Sequence, residues 1–478
     1  MLERPGGNRT SLGRIALLPA LALAAVLAPL ALDALDPPFL ASSYGRSHRR
    51  FELFAAFAAL AAGLAAGLEA RARRGRPARE LVPVVAPLLV TLQAAFLIGE
   101  HSRQPYDYDC YEYAARAILL GENPYTVGLN YLYPPLAAQA LALAHRTLAG
   151  AARLVGSAPD AEAVWGALFY LFQCAQLGLV LLLYPLATRF ARAAEIEAVR
   201  AHALVALLLL VDNPLLRTLR HGQLNLWILD LALLAILLAR RRPAAAGLAL
   251  ALGVHLKLYP IVLVVPLAAG RCGRALAWTA LAGAGIALAQ TGLGRDWTPW
   301  LQFAEFYARV YPGEVALRNA SFHSLAWNTG RLVLGMDPAG LRAPVRVAAS
   351  AFSLAMAAWL CLRCAARERS AREPGGPEAE PRLLANGADA LAFSLLISQS
   401  VWEHHFLLAL PLVIQAVATR GRERPGAIAA AAFLMLGMPT FDLFPLAYHR
   451  AAGLLWLLVL TRPRADRAFL RRLEPPLR

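Results

Sequence analysis

Residues 163–187 read AVWGALFYLFQCAQLGLVLLLYPLA, twenty-five positions without one Asp, Glu, Lys or Arg. Coiled at about 1.5 Å per residue, such a run is longer than the ~30 Å hydrocarbon core of a bilayer. It predicts a membrane-crossing helix, and the pattern recurs along the chain. Further apolar runs occupy roughly 15–35, 51–69, 80–98, 199–213, 223–239, 243–256, 257–270, 275–292, 343–363, 386–402, 405–418, 426–443 and 450–462. Hydrophobic residues make up 58% of the 478 positions, and the mean hydropathy is +0.49. A soluble chain of this length would divide into domains of mixed composition. The expected fold is all-α and integral to the membrane, with about 12–14 spans.

Charge gives the orientation. The net charge of +16 would suggest nucleic acid in a soluble protein, but in a membrane protein basic residues collect in cytoplasmic loops, so no nucleic-acid partner is expected. With the N-terminus inside, the arginines at 71–79, 189–200, 240–242, 271–274, 363–382 and 420–424, and those of the tail, all fall on the cytoplasmic side. Arg46, Arg49 and Arg50 are the exception. The run at 15–35 follows Arg4, Arg9 and Arg14 without a clear cleavage site and reads as a retained anchor. Four regions follow: N-terminal spans (1–98), an external loop (99–162), a membrane core (163–462) and a basic tail (463–478). Five cysteines do not make a disulfide framework, and Cys361 and Cys364 lie on an apolar helix end with no second pair.

Outside the membrane, ionisable and polar residues gather on several distant segments. Tyr106–Pro135 carries Asp107 and Asp109, then an amphipathic helix stopped by Gly121 and Asn123-Pro124. Its apolar face is Tyr111, Ala114, Ala115, Ile118 and Leu119, and Glu112 and Arg116 form an i,i+4 pair. Asp109 there is either an N-cap with Glu112 as capping-box partner or a reactive carboxylate, and Asp107-Tyr-Asp109 has the form of a metal-binding D-x-D pair. Asn213–Asn225 has a helix-breaking proline, then Arg217, Arg220 and His221, which suit either interfacial snorkelling or a phosphate cradle. His255 and Lys257 precede Pro260 at a helix end, where a cation also complements the dipole. Of 47 basic residues, Lys257 is the one lysine; its survival in an arginine-rich composition hints that a planar guanidinium cannot replace it. Arg318–Ser324 and Trp402–His405 complete the set. Adjacent His404 and His405 point about 100° apart on a helix and cannot chelate one metal as an i,i+4 pair would.

At these residues the chain resembles the GT-C glycosyltransferases, specifically glycosyltransferase family 87, which includes polyprenyl-phosphate-mannose-dependent α-mannosyltransferases. The marks are Asp109 with Tyr113 and Gly121-Glu-Asn-Pro-Tyr125; Tyr133-Pro-Pro135; Gly222-Gln-Leu-Asn225; Gly247 through Lys257-Leu-Tyr-Pro260; Asn319-Ala-Ser321; and Trp402-Glu-His-His405. The likeness covers about residues 100 to 420. The chain departs from the pattern in two extra spans before the first large outer loop and in an alanine after Asn319.

The resemblance implies a GT-C-type helix bundle with interfacial helices in that loop, an inverting mechanism and a polyprenyl-phosphate sugar donor. A hexose, mannose by resemblance, would pass to a lipid or glycan acceptor outside a bacterial inner membrane. The catalytic carboxylate implied by position is Asp109, with Asp107 in reserve. The departing phosphate needs cations near the membrane surface, which Arg220, His221, Lys257, His404 and His405 can supply. Tyr113, Tyr125, Tyr133, Gln223, Asn225, Asn319, His323 and Glu403 are candidate substrate-positioning residues. A monophosphate leaving group balanced by protein cations requires no metal, and no cofactor is expected. The competing reading is a polytopic transporter or lipid flippase, which would place charge at the membrane midplane and show an internal repeat.

Overall fold

The computed structural model describes residues 82–100, 106–126, 131–154, 156, 160–310, 316–369 and 379–463. The expected spans at 15–35 and 51–69, the arginines between 71 and 79 and nearly all of the tail lie outside these residues. Seventeen α-helices run through the described residues, with no strand among them.

Each predicted apolar run within these residues is helical. The run at 163–187 is the centre of α4 (Ala161–Ala193), preceded by α1 (Val82–Glu100), α2 (Tyr106–Leu120) and α3 (Leu136–Leu154). Then come α5 (Ala198–Leu210), α6 (Asn213–His221), α7 (Asn225–Leu238), α8 (Pro243–Leu256), α9 (Val264–Ala269) and α10 (Gly273–Gln290). The C-terminal half holds α11 (Thr298–Val310), α12 (Phe322–Leu332), α13 (Pro338–Arg369), α14 (Ala379–Ile397), α15 (Leu410–Arg420), α16 (Pro425–Ala432) and α17 (His449–Leu460). Among the described residues α1, α4 and α13 are each long and apolar enough to cross a membrane alone, and α5 with α6 makes a fourth span bent by 56°. Asn225–Leu238, Pro243–Leu256, Tyr259–Ala269, Pro425–Gly437 and Leu446–Leu460 are shorter apolar helices, so among the described residues most expected spans are not single long helices.

The short helices are short because the chain breaks them. Asp212 caps α6, its Oδ1 accepting from Leu215 N at 2.9 Å, and Pro214 sits in the first turn. Gly222 ends α6 in the left-handed region at φ 65°, where a Cβ is disfavoured. Lys257 is extended at φ −161°, ψ 135°, between α8 and a 3-10 turn (Tyr259–Leu263) that Pro260 opens. A further break precedes the 3-10 turn Glu403–Ala409, which leads into α15. Backbone this irregular persists at membrane depth only where protein or water satisfies it. All three breaks lie at one end of the bundle.

The other end is pinned by charge. Arg363 of α13 is fully buried and donates to both oxygens of Asp389 of α14, at 2.7 and 3.0 Å. It also donates to Leu458 O and Thr461 O at 2.8 and 3.2 Å. Between these ends the core is aliphatic, with Leu209, Leu229, Phe393, Leu407 and Leu458 all at 0% exposure. Close crossings depend on glycine. A Cβ on Gly247 of α8 would lie 2.5 Å from Trp278 Cβ and 2.6 Å from Thr279 N of α10. Gly247→Ala is therefore expected to destabilise by about 1–3 kcal/mol, because backbone cannot rotate aside. Gly285→Ala on α10, where nothing lies within 4 Å, should cost nothing. Thermal unfolding in detergent separates the two; equal midpoints would refute the contact argument.

Over the broken end lies a second layer. Tyr108, Tyr111, Tyr125, Tyr131, Tyr133, Phe303 and Phe306 form one buried aromatic cluster with Leu224. It joins α2 to α11, a helix outside the predicted apolar runs on which Trp300, Phe303 and Tyr307 share one face. The predicted apolar face of α2 is inward, with Tyr111, Ala114 and Ala115 at 3% exposure or less. Arg116 holds Glu112 at 2.6 Å as expected and adds Glu162 of α4 at 2.7 Å.

Candidate active site

The three breaks and the start of α2 converge. Gly222 turns the chain so that Gln223 and Asn225 open α7 beneath α2. Lys257 Nζ donates to Asn225 Oδ1 at 2.8 Å and lies 2.8 Å from His405 Nε2. The rings of Tyr133 and Tyr259 sit 5.1 and 5.4 Å from the ammonium. Burying an ammonium is costly unless it is paired and bonded, and here the Asn225 amide oxygen and two aromatic faces compensate. A compact ammonium fits this niche; a guanidinium fork would not.

Asp107 brings the opposite charge. It stands in the first turn of α2, where Gln223 and the Lys257 charge both favour its ionised form. Its Oδ2 is 3.9 Å from His221 Nδ1. Burial pushes its carboxyl from 3.8 up to about 6; Gln223 and Lys257 pull the other way, and Asp109 adds to the rise. A carboxylate so placed is ionised at neutral pH yet basic enough to take a proton.

Asp109 stands elsewhere. Helix α2 begins at Tyr106, so Asp109 is inside the first turn and is not the N-cap. Two residues from Asp107 it is turned by about 200°, so the two carboxylates do not converge on one ion. Burial and the neighbouring Glu112 raise its carboxyl, and no cation of the cluster is among its electrostatic neighbours.

The remaining candidates divide. His404 and His405 are 4.4 Å apart by ring centres, and His221 is 6.4 Å from His404. These three line one side of the niche, with Arg220 beside His221; buried near Lys257 and Arg217, the imidazoles are neutral hydrogen-bonding groups. His405 Nδ1 accepts from Trp402 N at 2.9 Å, and the Tyr259 hydroxyl donates to Ser400 O at 2.6 Å, which fixes the 398–405 segment against Lys257. Tyr133 is central, whereas Tyr125 packs in the aromatic layer and donates to Tyr133 O at 3.1 Å. Tyr113 is 49% exposed, on the far face of α2. Asn319 Oδ1 accepts from Val401 N at 2.8 Å and its Nδ2 donates to Gln399 O at 3.3 Å, so it ties two backbone segments. His323 is buried on α12, with Arg346 as its charged neighbour. Glu403 bridges Arg217 at 3.3 Å and Arg450 at 3.2 Å and acts as a strut beneath the histidines.

Sequence reasoning missed three participants, Arg450, Gln176 and Gln290, and the partner of a fourth, Arg318. Arg450 of α17 is 1% exposed under Glu403. Arg318 grips Asp442 at 2.7 Å. Gln176 of α4 donates to Gln223 O at 2.9 Å, and Gln290 joins His255 to Gln139 at 2.8 and 2.9 Å. A signal did exist for Gln176, since an amide inside an otherwise apolar span needs a buried partner. None of the five cysteines is in a disulfide.

The site also has a side. Helix α7 starts at Asn225 and ends beside Arg240–Arg242; α8 starts there and returns to Lys257. The polar centre and this arginine cluster are thus separated by 14 residues of helix, or about 21 Å.

Comparison with known proteins gives the following. The sequence model of Glycosyltransferase family 87 matches residues 131–374, just over half of the chain. A polyprenol-phosphate-mannose-dependent alpha-(1-2)-phosphatidylinositol mannoside mannosyltransferase of Mycobacterium tuberculosis is 28% identical over 397 residues, spanning 76% of this chain and 82% of its own length. A protein of the same description from Mycolicibacterium smegmatis is 28% identical over 356 residues, spanning 70% and 76%.

Proposed function

The chain belongs to glycosyltransferase family 87, and from that premise we propose that it moves mannose from a polyprenyl-phosphate donor to a lipid or glycan acceptor. It is a membrane glycosyltransferase; the transporter reading is not favoured. The donor, the sugar and a lipid-borne acceptor are those named in its mycobacterial relatives. The observation that carries the mechanism is the carboxylate of Asp107 beside the buried Lys257, under an aromatic roof at one end of the bundle.

In this reading Asp107, not Asp109, is the general base. The acceptor hydroxyl gives its proton to Asp107 as its oxygen bonds to C1 of the sugar. The bond from C1 to the phosphate oxygen breaks with its electron pair, and the configuration at C1 inverts. Lys257, His221, His404, His405 and Arg220 face the charge that develops on the phosphate. Asn225 Nδ2, a buried N–H with no protein partner, is available to an oxygen of the sugar or phosphate. The bacterial inner membrane is inferred from the relatives, and the extracytoplasmic face from the arginines at the opposite helix ends.

The test is transfer of labelled mannose from polyprenyl-phosphate-mannose to membrane lipids by the full chain in proteoliposomes. Labelled product with inverted C1 supports the reading, and passage of unaltered donor across the bilayer would restore the transporter. A pH dependence follows. Only ionised Asp107 accepts a proton, and it is ionised above about 6. kcat/KM is therefore expected to fall by about tenfold per unit below that pH, and to fall again above about 7, where burial strips the proton from Lys257 and the phosphate loses its ammonium partner. A flat profile down to pH 4.5 would exclude Asp107 as base.

A further inference from the structure

Tyr133 and Gln223 stand where a substrate-positioning role was expected, but their hydrogen bonds run toward the base. The Tyr133 hydroxyl donates to Gln223 Oε1 at 2.9 Å, with both side chains buried. A primary amide has one oxygen and one nitrogen. With the oxygen turned to Tyr133, the NH2 group is left for Asp107, whose carboxyl pKa Gln223 lowers. The backbone of Gln223 is pinned as well, since its carbonyl accepts from Gln176 Nε2 at 2.9 Å, and the left-handed Gly222 precedes it.

We propose that Tyr133 is a positioning residue of the reaction, acting through Gln223 to hold the Asp107 carboxylate ionised and aimed at the acceptor hydroxyl. The inference rests on the assignment of Asp107 as base. Its physical content is an amide flip. If Asp107 is protonated, the favourable partner for its O–H is an amide oxygen, and Gln223 gains by turning round. The Tyr133 hydroxyl, as donor, opposes that turn and so favours the ionised base. Without the hydroxyl the two amide orientations lose their bias. The other groups facing Asp107 are Lys257 from the break after α8, His221 at the end of α6, and Asp109 and Cys110 on its own helix. None of these contacts passes through the Tyr133–Gln223 bond.

The test is a double-mutant cycle in the proteoliposome assay. Tyr133→Phe keeps the ring over Lys257 and removes only the hydroxyl; Gln223→Met keeps the bulk and removes the amide. Each single variant is expected to lower kcat by about tenfold at pH 7 while the donor KM stays within about twofold. Each should also move the acidic limb of kcat/KM to higher pH, because the hydrogen bond favouring the ionised form is lost. In the Gln223→Met background, Tyr133→Phe should have no further effect, since the two act along one path. Additive losses, or a limb that stays in place in Tyr133→Phe, would overturn the proposal. Asp107→Asn separates the two levels: if it transfers mannose normally the base assignment fails, whereas its inactivity with an unshifted Tyr133→Phe limb sinks the relay alone.

Discussion

Asp107→Asn is expected to reduce mannosyl transfer by about 10³-fold, within the range that a positioned general base contributes. Asparagine has nearly the same shape, so the helix start and its packing survive. What disappears is the lone pair that accepts the acceptor's proton and the negative charge facing Lys257. Gln223 then meets an amide instead of a carboxylate. Asp109→Asn, by contrast, removes a carboxyl that burial and Glu112 of its own helix raise, and transfer is expected to stay within about threefold. Both variants are measured in the same proteoliposomes, with elution in detergent as the check on folding. If Asp109→Asn is the inactive one, the base moves to Asp109 and the cluster around Lys257 serves the donor only.

The second large effect is on stability. Arg363→Met is expected to cost about 3–5 kcal/mol, because it strands Asp389 as a buried charge. Arg363 and Asp389 are both at 0% exposure and joined at 2.7 Å. Arg367, which also contacts Asp389, recovers part of the loss. Replacing the pair together, as Arg363→Met with Asp389→Leu, should restore much of it, since a packed apolar pair needs no desolvation. Thermal unfolding in detergent reads all three variants. A double variant as unstable as the single would mean that the bonds to Leu458 O and Thr461 O, and not the ion pair, hold this end. Lying at the end of the bundle away from the site, these variants should leave the acidic limb of kcat/KM in place.

Much of the site was legible as a set and little of it as a geometry. Lys257 was marked by being the one lysine, and the breaks at Pro214, Pro260 and Trp402 were marked by proline or by clustered polar residues. Choosing between Asp107 and Asp109 was not legible, because the choice depends on where α2 starts. A start at Tyr106 turns Asp107 toward Gln223 and Lys257; a helix capped by Asp109 would have left Asp107 outside it. The facing of Tyr113 was not legible for the same reason; it lies on the far face of the helix whose inward face carries Tyr111. Glu403 and Asn319 were expected to position substrate. Their partners in the fold are Arg217, Arg450 and the backbone of 399–401, most of which lie far off in sequence from the residue they hold.

The amino-acid sequence by itself determined the class of molecule and the helix breaks. These follow from local properties: run length against bilayer thickness, and the backbone limits of proline and glycine. The tertiary structure alone decided which polar groups meet. Hydrogen bonds and ion pairs between residues 90 to 150 positions apart, such as Tyr133 with Gln223 and Lys257 with His405, depend on helix rotation and crossing distance. A single residue of register turns a side chain by about 100°, and no local pattern fixes that angle.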